Sequence, residues 1–93
     1  VHSSVMLSKE RKAEIIQQFG GSPTNTGAIE VQVALLTERI RNLSAHLEKH
    51  RKDHHNRRGL LLMVSRRRRL LKYLARTDWE RYQRLLQALS LRK

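Results

Sequence analysis

His46, His50, Asp53, His54 and His55 crowd one short polar stretch of the chain. On a continuous helix His46 and His50 share a face, at the four-residue spacing that pairs zinc ligands. Zinc needs a third ligand and usually a fourth. The chain has no cysteine, Asp53 falls past the bend, and no glutamate between the two histidines could serve as a general base. A metal is therefore not expected. The better match is hydrogen bonding, because imidazoles and a short carboxylate can reach the 2′-hydroxyls and base edges of a wide RNA minor groove. The plainer alternative is a bend of solvated histidines.

Arg66, Arg67, Arg68 and Arg69 are consecutive. In a helix they sweep roughly 300° of the circumference, so they cannot all touch one phosphate strand. One is free to pair with an acid or to stay solvated, while the others join Arg58, Lys72 and Arg76 in a cationic face for RNA backbone. The loop Asn25-Thr26-Gly27-Ala28 offers a hydroxyl and backbone N–H groups, either to cap the next helix or to contact phosphate and sugar. Spacing alone does not separate those two roles.

The aromatic residues are only Phe19, Tyr73, Trp79 and Tyr82, too few for a platform on which single-stranded bases stack. Recognition of RNA shape is expected instead. Phe19, Trp79 and Tyr82 lie among apolar neighbours and read as core. Tyr73, close to Lys72 and Arg76, suits either the core or the RNA face. For catalysis nothing is assembled: the serines have no triad context, the acids are dispersed, and no glycine-rich phosphate loop precedes a helix. Neither an enzyme nor a cofactor is expected.

The elements that must position these groups are helical. Ser8 is placed to cap a helix over Lys9 to Phe19, and the cluster from Gly20 to Gly27, with the single proline Pro23, ends it. Val33, Leu36, Ile40, Leu43 and Leu47 recur at intervals of three and four, predicting a long amphipathic helix from about Ile29 to Glu48. Leu60, Val64, Leu71 and Leu74 outline a second over Asp53 to Arg76. Thr77-Asp78-Trp79-Glu80 has the form of a capping box with Thr77 as the cap, opening a last helix that carries Tyr82, Leu85, Leu86 and Leu89. If the long helices fold back antiparallel about residue 51 or 52, Leu43 meets Leu60, Ile40 meets Val64, Val33 meets Leu71 and Ile29 meets Leu74. Leu36 then faces Arg67, whose aliphatic stem should fill the gap while its guanidinium reaches Glu38 or solvent. The expectation is an all-α single domain over 1–93: a short N-terminal helix, an antiparallel long-helix hairpin and a C-terminal helix packed as a bundle. Residues 1–8 are expected to be disordered or additional to it.

Charge points to the partner. The chain of 93 residues holds 20 Lys+Arg against 8 Asp+Glu, a net +12. Residues 1–40 balance four basic groups with four acids, so the whole excess falls in 41–93. Such a one-sided excess is a binding surface for a polyanion rather than a general solubility charge. No apolar run approaches the roughly 18 residues of a membrane span, and the start lacks the zones of a secretory signal, so the cytoplasm is the expected compartment.

Several blocks together carry a family resemblance: Thr26-Gly27, the run from Glu30 to Ile40, the run from His50 to Leu61 containing Lys52-Asp53-His54-His55, the run from Arg67 to Leu74, and Arg81-Tyr82. From about Met6 to Lys93 the chain resembles the bacterial-type family of small ribosomal subunit protein fifteen. The resemblance implies a four-helix protein of translation, in bacterial or organellar ribosomes, that binds the central domain of small-subunit ribosomal RNA early in assembly. A three-way junction would be met by Thr26, Gly27, Gln32, Arg39, Tyr73 and Arg76. A guanine–uracil/guanine–cytosine minor-groove site would be met by His46, His50, Asp53 and Asn56, with Arg58 and Arg69 on the same surface. The resemblance also implies neighbouring ribosomal proteins as partners, contact with large-subunit RNA, and a monomer when free. The chain departs from the family pattern where Asn56 and Ala28 replace the usual serines, and in five residues before Met6. The alternative reading of the charge is a basic architectural DNA-binding protein, which needs neither the histidine–aspartate bend nor the Thr-Gly loop. A membrane- or calmodulin-binding amphipathic helix ranks below it, because the apolar seams pair with each other.

Overall fold

The computed structural model describes residues 8–20 and 28–91. Over them the chain forms α1 (Lys9–Gly20), α2 (Ile29–Lys49), α3 (His54–Thr77) and α4 (Trp79–Leu89), with no strand among the described residues. This is the all-α arrangement that the periodicity predicts, with each boundary within a residue or two of expectation. Ser8 caps α1 as expected, its Oγ accepting the Arg11 N–H at 3.1 Å. The rest of the N-terminal segment, Asn25 to Gly27, and the final two residues lie outside the described residues, as does any capping of α2 by Asn25 or Thr26. Ala28 precedes α2 in extended backbone and offers no side-chain cap.

The start of α4 corrects the sequence reading. Asp78, not Thr77, is the cap: its carboxylate accepts the Arg81 N–H at 3.2 Å. The Thr77 hydroxyl turns back and donates to the Tyr73 carbonyl at 3.0 Å, closing α3. A carboxylate one residue nearer the helix takes the orphan N–H, which leaves the threonine for the preceding turn.

Helix α2 is the central rod. It packs against α1, α3 and α4 and buries Val31, Val33, Ala34, Leu36, Thr37, Ile40, Leu43 and Leu47. Val33 and Ala34 share a core with Ile15 of α1, Leu74 of α3 and Leu85 and Leu89 of α4, and Phe19, Ile29, Leu70, Leu71 and Tyr82 pack partly buried against it. Phe19 and Tyr82 thus lie where expected. Trp79 does not: it is 55% exposed and touches the Tyr82 ring at 5.2 Å.

Three polar ties fix the outer helices to α2. Arg11 of α1 donates to Glu38, Nε–Oε1 3.1 Å. Arg41 donates to the Leu89 carbonyl at the end of α4, 2.8 Å. Arg81 of α4 forks onto both oxygens of Glu30, with Nε–Oε2 at 2.6 Å. The Arg81 guanidinium holds the Glu30 carboxyl below its ordinary range.

The predicted role of Arg67 is half correct. It inserts opposite α2 near Leu36, but Glu38 is occupied by Arg11, so the guanidinium donates instead to the buried Thr37 hydroxyl at 3.3 Å. Burial, and secondarily the neighbouring Arg41, lowers its pKa. The contact of Arg67 with Thr37 lies within one residue of the register expected for the α2–α3 hairpin. No helix among the described residues is long and apolar enough to cross a membrane.

Candidate nucleic-acid interface

The polar bend between α2 and α3 is a built corner. Helix α2 ends at Lys49 with His50 as its C-cap, and two turn residues, Arg51 and Lys52, bring the chain to Asp53. Asp53 caps α3, its Oδ1 accepting the Asn56 backbone N–H at 3.1 Å. Its Oδ2 accepts the Asn56 side-chain amide and lies 3.3 Å from His46 Nε2. The Asn56 backbone N–H, then its side chain, and then His46 hold the Asp53 carboxyl below its usual range. The Asp53 carboxylate therefore stays ionised and fixed in direction. His46 stacks on His50 with ring centroids 4.5 Å apart, and His50 is exposed. Asn56 serves the corner through its side-chain amide, which donates a hydrogen bond to Asp53 Oδ2. Among the described residues, no three His, Asp, Glu or Cys side chains gather as they would around a metal ion. The corner's chemistry is directional hydrogen bonding: imidazole and amide donors around an anchored carboxylate.

A line of polar residues runs along each long helix. On α2, Gln32, Arg39 and His46 recur at seven residues and His50 follows four later, so all four fall within about 40° of one another. On α3, Arg58, Arg69 and Arg76 fall within about 20°, on the side away from buried Leu74. All three arginines are exposed, and Tyr73, near the same line, is 50% exposed. This places Tyr73 on the surface rather than in the core. His46 joins the α2 line to the corner through Asp53, whereas Asn56 shares the direction of Leu74, so the arginine line of α3 lies about 160° round the helix from it.

Not every predicted cation joins them. Arg68 and Lys72 line a groove between α3 and α4 with Val64, Leu71, Ala75 and Tyr82; Arg68 stands about 80° from the Arg58–Arg76 line, and Lys72, about 40° from it, borders both. Of the four consecutive arginines, one is inserted toward α2, one faces that groove, and two remain for the exposed face. Thr26 and Gly27, expected at a junction, lie outside the described residues. Sequence reasoning also missed Leu62, 66% exposed on the line of Arg58 and Arg69. The signal was available: Leu62 falls on the far side of the helix from the apolar seam, although it reads as part of the run Leu60-Leu61-Leu62-Met63-Val64.

Comparison with known proteins places this geometry in context. The family model described as ribosomal protein S15 matches residues 12–92. The small ribosomal subunit protein uS15 of Thermoanaerobacter sp. (strain X514) is 62% identical over 88 residues, covering 95% of this chain and 100% of the relative. The protein of the same name from Mycolicibacterium vanbaalenii is 58% identical over 87 residues, covering 94% of this chain and 98% of the relative.

Proposed function

The chain belongs to the ribosomal protein S15 family, structural proteins of the small ribosomal subunit and not enzymes, and on that footing we propose that it binds the central domain of small-subunit ribosomal RNA at two places on one face. As a small-subunit protein it associates with ribosomal RNA and other ribosomal proteins. Within that role, the corner of His46, His50, Asp53 and Asn56 reads a minor-groove site. Gln32, Arg39, Tyr73 and Arg76, with Thr26 and Gly27, meet a three-way junction. Arg58 and Arg69 neutralise phosphates beside them. Binding at both places fixes the angle between RNA arms and assists early assembly; the free protein is a monomer, and in the assembled ribosome it also contacts the large subunit.

The observation that carries this reading is the corner. The Asp53 carboxylate caps α3 through one oxygen, while the other, held by the Asn56 side chain and set against His46, is aimed and anchored beyond what a cap requires. Pre-organised polar groups of this kind suit base edges and 2′-hydroxyls in a wide, shallow minor groove, and the 2′-hydroxyl is a partner that DNA does not offer. The test is footprinting on small-subunit RNA, with an unstructured transcript of equal length as competitor. Protection at a branched element and at a nearby helical minor groove is expected. Equal affinity for the unstructured competitor at moderate salt would end the proposal.

A further inference from the structure

Gly59 sits inside α3, away from either end of the helix. A glycine there costs roughly 0.5–1 kcal/mol relative to alanine, through backbone entropy. Within the protein nothing requires it: a Cβ built on Gly59 meets no heavy atom within 4 Å. The helix therefore carries a cost that no neighbouring side chain explains.

The position of Gly59 supplies the reason. At about 100° per residue it lies on one line with Arg66 and Tyr73, spaced seven residues apart, and one turn beyond Asn56 of the corner. Arg66 is exposed and Tyr73 half exposed. The space over Gly59 is thus open, flanked at one end by the hydrogen-bonding corner and at the other by a cation and a phenol. No acid lies on this face of α3, since the helix contains none. We infer that Gly59 is the seat where a ribose–phosphate strand of the bound RNA comes into direct contact with the α3 backbone, closer than any side chain would allow. A backbone without Cβ lets a sugar or phosphate settle onto the helix while Asn56 and Asp53 keep their reach into the groove. The inference rests on the RNA-binding reading and adds to it a position that recognises by leaving room.

The test separates the free protein from the complex. Gly59→Ala in the full chain should raise Tm by about 2–8 °C, because the helix gains propensity and the methyl meets nothing. Its affinity for the small-subunit RNA that the wild-type chain protects should fall at least tenfold, and Gly59→Leu should lower it further while remaining folded. The salt dependence of binding should stay as in wild type, since no charge is lost. A Gly59→Ala protein that binds within twofold of wild type overturns the inference, and so does a fall in Tm. Failure of the wild-type chain to prefer structured RNA would instead remove the underlying function, so the two failures are distinguishable.

Discussion

Helices α2 and α3 are antiparallel partners of similar length, 21 and 24 residues, yet α2 buries eight residues and α3 buries only Leu74. The difference follows from their neighbours. Helix α2 is packed by three other helices, so apolar residues are needed around much of its circumference. Helix α3 lies against α2 and α4 and keeps a broad face open, on which its sequence places arginines, a tyrosine and Leu62. One rod holds the fold and the other displays a surface. Stability should therefore be sensitive at α2 contacts, and binding at α3 positions that touch nothing.

The strongest way to break that contrast is at Leu74, the single buried residue of α3, fully enclosed in the core formed with Ile15, Val33, Ala34, Leu85 and Leu89. Leu74→Ala should cost about 2–5 kcal/mol in urea or thermal unfolding. Leu62→Ala, on the same helix, should stay within about 0.5 kcal/mol. Comparable losses from both would mean that α3 is packed on its outer side as well.

The corner comes next. Asp53→Asn keeps a good helix cap but removes the charge and one acceptor set against His46. Affinity for small-subunit RNA should fall roughly tenfold to a hundredfold with little change in Tm, as measured by filter binding and thermal unfolding. An unchanged affinity would reduce Asp53 to a capping residue.

These predictions also mark what was legible in the sequence. The helices and the hairpin register could be read because apolar spacing at three and four residues leaves few other ways to bury Val33, Ile40, Leu43 and Leu74. The histidine–aspartate corner was visible as a cluster of residue types. Which partner each polar group takes was not, because it depends on competition across the fold: Arg11 reaches Glu38 first and sends Arg67 to Thr37, and Asp78 displaces Thr77 as a cap. Trp79 reads as core with Tyr82, yet it is the first residue of α4, set between the cap Asp78 and Glu80, and its ring stays largely exposed. Leu62 was hidden inside an apolar run whose linear order conceals the helical face.

A smaller effect tests the polar ties of α2. Glu30 has its folded-state pKa lowered by Arg81, so its contribution to stability is present above the unfolded value and disappears as pH falls through the depressed folded value. Wild type should lose more stability across that acidic window than Glu30→Gln, whose residue does not titrate. The pair is partly exposed, with side-chain exposures of 41% for Arg81 and 18% for Glu30, so screening keeps the difference to about 1 kcal/mol or less. Parallel stability curves for the two proteins from neutral to acid pH would show that the fork contributes nothing.

The smallest effect, and the one that most sharpens the comparison, belongs to a single exposed arginine. Arg58 touches no acid among the described residues and supports no packing, so Arg58→Ala should leave Tm nearly unchanged. In the complex its loss removes about one phosphate contact, and the slope of log affinity against log salt should fall by about 0.7–0.9. At moderate salt the change in affinity itself is modest, which is why the slope is the quantity to measure. Asp53→Asn should do the reverse, lowering affinity at every salt concentration without lowering the slope, because it removes a directional acceptor and no cation. If both variants moved the slope equally, the corner and the arginine line would be acting as one diffuse field of charge. Opposite signatures would establish that α3 carries two kinds of recognition along one helix, with direction supplied at its capped end and charge along its open face.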